Sequence, residues 1–286
     1  MPNLAYHFAR WEGQIVRRLY RAMLPMIVKN KVRVHNEVPF EVFAYSGEAT
    51  LPEQAASVRS FLAYVGRPKR FTIFSDGSYT RRGIQLLEQI DSAVHVSESL
   101  PSLPPAVPEQ VRSYLTMHPT GKQLLIVMSL PVNGPALFAD SDVLFFPGAT
   151  DLIQLARTSD VPAFYLADYQ FSGDERLLSG SAEKEKPANT GFLLLFEKID
   201  WSLGIERLLK LKGTPNFFTN QTIVHLCMHA NGALPFDQRK YILQVDDQFG
   251  YRDRYAGSSL AMRHYVNPVR HKLWDNLLRR FPRAPW

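Results

Sequence analysis

Cysteine is almost missing from this chain. Cys227 stands alone, which excludes an intramolecular disulfide and a thiolate-rich metal cluster and suits a reducing compartment. Buried as a small apolar residue, it is expected in the core rather than as a nucleophile. Long apolar runs are missing too: no stretch approaches the roughly 20 residues that span a bilayer. The amino terminus lacks the basic start and uninterrupted apolar core of a signal peptide, so a cytoplasmic location is expected. There is no internal repeat, no low-complexity tract and no recognised nucleic-acid-binding motif. The basic residues are not interleaved with aromatics along one stretch, which argues against nucleic acid as a partner. What is present is ordinary for a globular protein: 45% hydrophobic residues in a chain of 286, enough to bury the core of one large domain or one and a half.

Charge is unevenly spread. Residues 1–35 carry seven Lys/Arg against one acid and residues 251–286 carry eight against two, which leaves an acidic centre within a net charge of +6. Basic ends point to anionic partners at the edges, a phosphate-bearing ligand or an anionic membrane surface. Residues 4–28 read as a basic amphipathic helix, with Leu4, Phe8, Trp11, Ile15, Leu19 and Met23 recurring at steps of three and four and Arg10, Arg17, Arg18 and Arg21 elsewhere. Its stripe suits either packing on the main domain or a membrane interface.

From residue 41 the pattern becomes strand and helix in alternation. Strands are expected at Glu41–Tyr45, Phe71–Phe74, Ala93–Val96, Ala136–Ala139, Ala163–Leu166, Gly191–Phe196 and Tyr241–Val245. Helices are expected at Pro52–Val65, Arg81–Ile90, Glu109–Met117, 201–211, 218–230 and Val269–Phe281. Leu100–Pro108, with four prolines, is a loop, and Gly173–Lys186 is a polar, mobile connector. Lys122–Leu130 is too evenly apolar to assign, and suits a buried helix or a strand. This alternation predicts an α/β fold with a mixed, mainly parallel central sheet flanked by helices, which binds ligands at the carboxyl edge of its strands. Asp76, after the strand at Phe71–Phe74, falls at such an edge, where it suits a base or ribose contact as well as a plain Asp-Gly turn.

Asp140 and Asp142, one residue apart, interrupt an apolar run between Ala136 and Phe146. Two acids flanked by buried strands need an opposite charge, and a hard divalent cation supplies one. A strand ending in solvated acids is the other reading.

Three further stretches follow: Ala188-Asn189-Thr190-Gly191-Phe192, Thr219-Asn220-Gln221-Thr222, and His264-Tyr265-Val266-Asn267-Pro268-Val269-Arg270-His271-Lys272-Leu273-Trp274. In order and spacing after the D-x-D, they resemble the nucleotide-sugar glycosyltransferases of the GT-A fold, in the group that includes glycogenin and the lipopolysaccharide galactosyltransferases. There an apolar strand ending in D-x-D is followed by an N-x-G strand, a D-Q helix and H-x-x-G-x-x-K-P-W. The resemblance covers roughly residues 41–275. It implies transfer of a sugar from a nucleotide-diphosphate-sugar to a hydroxyl acceptor, a glycan or glycolipid, in cell-surface polysaccharide or glycolipid synthesis. Separately from the resemblance, the Arg-rich face of residues 4–28 and the basic carboxyl-terminal helix suit peripheral contact with the inner face of an anionic membrane.

By the same resemblance, Asp140, Asp142 and His264 are ligands of Mn²⁺ or Mg²⁺, and Arg270, at the family's lysine position, and Lys272 draw in phosphate. Asp140 belongs to the nucleotide site, to which the strand edge adds Asp76; Asn189 and Gln221 contact the donor sugar; and Asp168 and the pair Asp246-Asp247 are spare carboxylates, either of which suits a general base if the transfer inverts. Residues 1–40 become an amphipathic lead-in, 41–146 the nucleotide-binding half, and 147–286 the donor-sugar and acceptor half. Departures are Asn220 for the first acid of D-Q-D, Asn267 for the glycine, and His271-Lys272-Leu273 between Arg270 and Trp274.

Two rivals stand beside this reading. Asp140-Ser141-Asp142-Val143-Leu144 also resembles the first motif of haloacid-dehalogenase-type phosphohydrolases, with Asp246-Asp247 as the acidic metal motif. A nucleotide-sugar-binding scaffold without turnover is the second.

Overall fold

The computed structural model describes residues 3–103, 107–158 and 160–280. In chain order the elements are α1 (Leu4–Ile27), β1 (Glu37–Ser46), α2 (Leu51–Tyr64), β2 (Arg67–Ser75), α3 (Arg81–Glu88), β3 (Val94–Ser97), α4 (Glu109–Met117), α5 (Pro119–Met128), β4 (Ala136–Ala139) and β5 (Val143–Phe145). There follow α6 (Asp151–Thr158), β6 (Ala163–Ala167), β7 (Ala188–Leu195), α7 (Ser202–Lys210), α8 (Thr219–Ala230), β8 (Leu234–Pro235), β9 (Tyr241–Ile242), β10 (Met262–His264) and α9 (Lys272–Arg280). Phe281, expected within the last helix, lies outside the described residues.

Seven strands form the main sheet in the order β3-β2-β1-β4-β7-β6-β8. The pairs β3/β2, β2/β1, β1/β4 and β6/β8 are parallel, while β7 runs antiparallel to both β4 and β6. This is the mixed, mainly parallel sheet expected. Both faces are covered, and successive residues of one strand point to opposite cores. In β4, Leu137 and Ala139 enter the core shared with α2 and α9, whereas Ala136 and Phe138 enter the core of α4, α5 and α8. A strand buried on both faces loses its alternation, so Ala136–Ala139 reads as a continuous apolar run.

The same cause made Lys122–Leu130 ambiguous. As far as Met128 it belongs to the helix α5, whose Leu124, Leu125, Ile126 and Val127 are all buried. Gly121 lets α5 close on α4, since a Cβ there would lie 2.0 Å from the Tyr114 carbonyl oxygen. The connector Gly173–Lys186 contains two 3-10 turns, Glu175–Leu177 and Ser181–Lys184. They are tied down by Asp174 to Arg176 at 2.6 Å and Glu183 to Arg207 at 2.8 Å.

Beyond the D-x-D the chain leaves the main sheet. β5 begins a second sheet in the order β5-β10-β9; β9 falls within the strand expected at Tyr241–Val245, while β5 and β10, of three residues each, were unforeseen. β10 pairs antiparallel with β5, with His264 opposite Val143. Beneath β10 lies a buried charge network. Arg263, fully buried, pairs with Asp247 at 2.9 Å and with Asp253. Lys272 Nζ lies 3.3 Å from Asp247, and Tyr265 and Asn276 donate to Asp253 at 2.7 and 2.8 Å. Burial pulls the Lys272 ammonium below its ordinary pKa while Asp247 opposes that pull.

α1 is capped by Asn3, whose side chain accepts from the Tyr6 amide at 3.2 Å. It packs against α9 and α2. Tyr20 meets Trp274 at 5.5 Å between ring centroids, and Gly13 lies so close to His271 that a Cβ would sit 2.7 Å from the His271 Cβ. No helix among the described residues is long and apolar enough to cross a membrane.

Arg263→Met should cost about 3–5 kcal/mol in urea unfolding, because it leaves Asp247 and Asp253 buried with only Lys272 to balance them. Adding Asp253→Asn to that variant should restore part of the loss.

Candidate active site

Asp140 and Asp142 sit where β4 ends and the chain crosses to β5, at the carboxyl edge of the main sheet. The Asp140 amide donates to the Gly191 carbonyl at 2.8 Å and the Tyr265 amide donates to the Asp142 carbonyl at 2.9 Å, so each sheet holds one end of the crossing. The cleft above it, about 660 Å³, is lined by Asp76, Asp140, Asp142, Asp168, Asn189, Gln221, His264 and Arg270 among others.

Both oxygens of Asp142 are occupied. His264 Nε2 lies 3.1 Å from Oδ1, and the Arg270 Nε and Nη2 donate to Oδ2 at 3.0 and 2.5 Å. Burial would raise the Asp142 pKa, but the charges of His264 and Arg270 outweigh it and hold the carboxylate far below its usual range. Asp140 lies 3.6 Å from His264. Burial, reinforced by the charge of Asp142, pushes its carboxyl up to about 6.

His264 is oriented from behind. Asn189 Oδ1 accepts from the Gly191 amide at 2.9 Å, which fixes the amide's orientation, so His264 Nδ1 donates to it at 3.0 Å and Nε2 is turned towards the carboxylates. Burial alone would lower the His264 pKa; Asp142 and Asp140 reverse that and raise it. The glycine of Asn189-Thr190-Gly191 has a steric reason: a Cβ at Gly191 would lie 2.1 Å from His264 Cε1 and 2.8 Å from Asp140 Oδ2.

Asp140, Asp142 and His264 offer two carboxylate oxygens and one imidazole nitrogen within 4.8 Å of one another. That donor set, with the Gly191 cradle kept clear, fits a hard or borderline divalent cation.

The structure brings most of the expected residues together and moves some roles. Asp76 lines the cleft and also closes the Asp-Gly turn, accepting from the Ser78 amide at 2.8 Å. Asn189 is engaged by His264 and Gly191, and its Nδ2 reaches Gln221 Oε1 at 3.5 Å. Gln221 Nε2 donates to Asp168 at 3.1 Å and to the Ser172 carbonyl at 2.8 Å. Burial raises the Asp168 pKa.

Lys272 is a correction. It is buried in the Arg263 network and does not line the cleft, because the turn after Arg270 points it inward. Asp247 belongs to the same network, and Asp246 is held by Tyr255 and Arg254. Neither lines the cleft, which removes the acidic partner that the phosphohydrolase reading required.

Gln123 was missed. Asn220 Oδ1 accepts from the Gln221 amide at 2.8 Å, so its Nδ2 donates to Gln123 Oε1 at 2.8 Å, and Gln123 Nε2 then donates to Asp140 Oδ1 at 2.7 Å. This relay accounts for the amide at 220 in place of an acid. The only signal in the sequence is a glutamine heading the apolar run of α5.

No protein-family model and no curated protein sequence matches the chain. Solved structures do match. A galactosyltransferase, LgtC, in complex with donor and acceptor sugar analogues superposes with a TM-score of 0.56 at 14% identity, over 85% of this chain and 95% of that one. Mouse xyloside xylosyltransferase 1 gives 0.53 at 11% identity, over 82% and 99%. The bifunctional glycosyltransferase WbbM gives 0.54 at 10% identity, over 90% of this chain and 52% of that one. At these identities the likeness is one of fold: the chain has the GT-A-like architecture of glycosyltransferases that resemble LgtC.

Asn220→Asp should turn the Gln123 amide round, since the introduced carboxylate accepts only, and leave Asp140 facing an oxygen. A loss of about 1–3 kcal/mol in urea unfolding at neutral pH is expected.

Proposed function

We propose that this chain is a glycosyltransferase that moves a sugar from a nucleotide-diphosphate-sugar to a hydroxyl of a glycan or glycolipid acceptor. The observation that carries this reading is the convergence of Asp140, Asp142, His264 and Arg270 on one cleft at the carboxyl edge of a GT-A-like sheet. The biological setting proposed is synthesis of a cell-surface polysaccharide or glycolipid, at the cytoplasmic face of the membrane. Within the chain, residues 1–40 are the amphipathic lead-in and residues 41–286 the transferase domain. Its part 41–146 is proposed to take the nucleotide, and 147–286 the donor sugar and acceptor.

Asp140, Asp142 and His264 would hold Mn²⁺ or Mg²⁺, which when bound supplies positive charge against the leaving diphosphate without proton transfer. Arg270 then has two anions within its reach. It neutralises Asp142 in the free protein, and once Asp142 has another counter-ion its guanidinium is released to donate bidentately to phosphate oxygens. Asn189 keeps the His264 lone pair or proton directed at the carboxylates. Gln221 and Asp168 lie together on the same cleft, with Gln221 aligned by Asp168 and Ser172. We assign Gln221 to the donor sugar, and Asp168, whose pKa is raised by burial, to accept a proton from the incoming hydroxyl.

Calorimetric titration of nucleoside diphosphates with and without Mn²⁺ tests the reading. Mn²⁺ should tighten the diphosphate, and by linkage the diphosphate should tighten Mn²⁺ equally. Asp142→Asn should remove this mutual enhancement and abolish transfer while leaving thermal stability within about 2 kcal/mol of wild type. Equal diphosphate affinities with and without Mn²⁺ would sink the metal-dependent mechanism. Diphosphate binding without sugar release from any donor in a nucleotide-sugar panel would favour the scaffold instead.

Arg270→Ala makes a second, sharper expectation. Freed of its guanidinium, Asp142 should bind Mn²⁺ alone more tightly, while the diphosphate binds roughly tenfold more weakly in the presence of metal, the loss of one charge-assisted contact. Parallel losses of both affinities would show that Arg270 only shapes the site.

A further inference from the structure

We infer that the outer face of α1 is a docking surface for an anionic lipid bilayer, on which the helix lies parallel to the membrane plane. The observation is a stripe that the fold leaves uncovered. Leu4, Phe8, Trp11, Ile15, Leu19, Met23 and Met26 follow one another at steps of three and four residues, and all are between 37% and 78% exposed. From Leu4 to Met26 a helix rises about 33 Å. The opposite face of α1, with Ala9, Gly13, Tyr20, Leu24 and Ile27, is the one buried against the domain. Packing therefore accounts for one apolar face and leaves a second, larger side chains included, in water.

Charge selects the occupant. Arg18 borders the stripe, in line with Trp11 seven residues before it, while Arg10 and Arg21 lie further round the helix on that side. Arg17 and Arg21 are paired with Glu53 and Glu48. Arg10 stacks on Tyr6 at 5.4 Å, and Arg18 has no acidic partner among the described residues. Glu12 is the one acid within residues 1–35, against seven basic residues. A second copy of this chain brings the same arginines to the contact. A bilayer with anionic headgroups offers what the stripe requires, an apolar layer beneath a plane of negative charge. Trp11 then sits at headgroup depth.

Flotation of the full chain with vesicles of phosphatidylcholine, with and without phosphatidylglycerol, tests this, together with sedimentation velocity of the protein alone. Binding to the anionic vesicles at low salt is expected, falling roughly tenfold by ~0.5 M salt as headgroup charge is screened. Read in a Trp286→Phe background, it should come with a blue shift of tryptophan emission that Trp11→Phe removes, since Trp201 and Trp274 are already buried. Leu19→Ser and Arg18→Gln should each weaken binding several-fold, with thermal unfolding unchanged because both side chains are exposed. Absence of binding, or binding equal for the two lipid mixtures and for Leu19→Ser, overturns the inference. So does a dimer that Leu19→Ser dissociates, which assigns the stripe to a second copy.

Discussion

Two carboxylates at the edge of a buried sheet require neutralising charge, and this chain brings that charge from its far end. His264 and Arg270 reach Asp142 across 122 and 128 residues. Much of the carboxyl-terminal third exists to make that reach rigid. β10 sets His264 opposite Val143, immediately after Asp142, and the turn to α9 brings in Arg270. Under β10, Arg263 is locked by Asp247 and Asp253, so neighbouring residues on one short strand serve opposite ends: one holds the strand down, the other faces the cleft. Burying Arg263 and Lys272 with their acids is costly in itself. Here it replaces the hydrogen-bonded length that a strand of three residues lacks.

The main sheet and the site's acids were legible in the sequence because both are local signals. Apolar runs bounded by turn residues locate β4, β6 and β7 to within a few residues, and an acid pair ending such a run marks a strand edge. Of the second sheet only β9 was legible, within the run Tyr241–Val245; β5 and β10 were not, since three residues carry no period. α5 was equally hidden, because burial on all sides erases the 3.6-residue signature. Lys272 shows the limit of spacing: two residues beyond Arg270, it faces the opposite way, and only the turn between them decides that. Gln123 shows another, since its role depends on Asn220, 97 residues away, whose amide determines which end of Gln123 meets Asp140.

Two of the differences from the pattern that the sequence resembles become intelligible. An amide at 220 would be a loss if its only task were to offer negative charge. In this chain it is the first member of a relay that ends on Asp140, and every orientation along it is fixed by one backbone amide, that of Gln221. An arginine at 270 reaches Asp142 through two nitrogens at once, which an ammonium cannot do.

Between Ala139 and Val143 the chain passes from the seven-stranded sheet to the three-stranded one, and only Asp140, Ser141 and Asp142 make the passage. Asp140 is held by β7 of the larger sheet and Asp142 by the residue that follows β10 of the smaller. The spacing of the two carboxylates is therefore a gauge of how the sheets are set against each other. Any substitution that tilts one sheet, however far from the cleft, registers as a change in the separation of these acids. Selection on that separation reaches positions that touch neither.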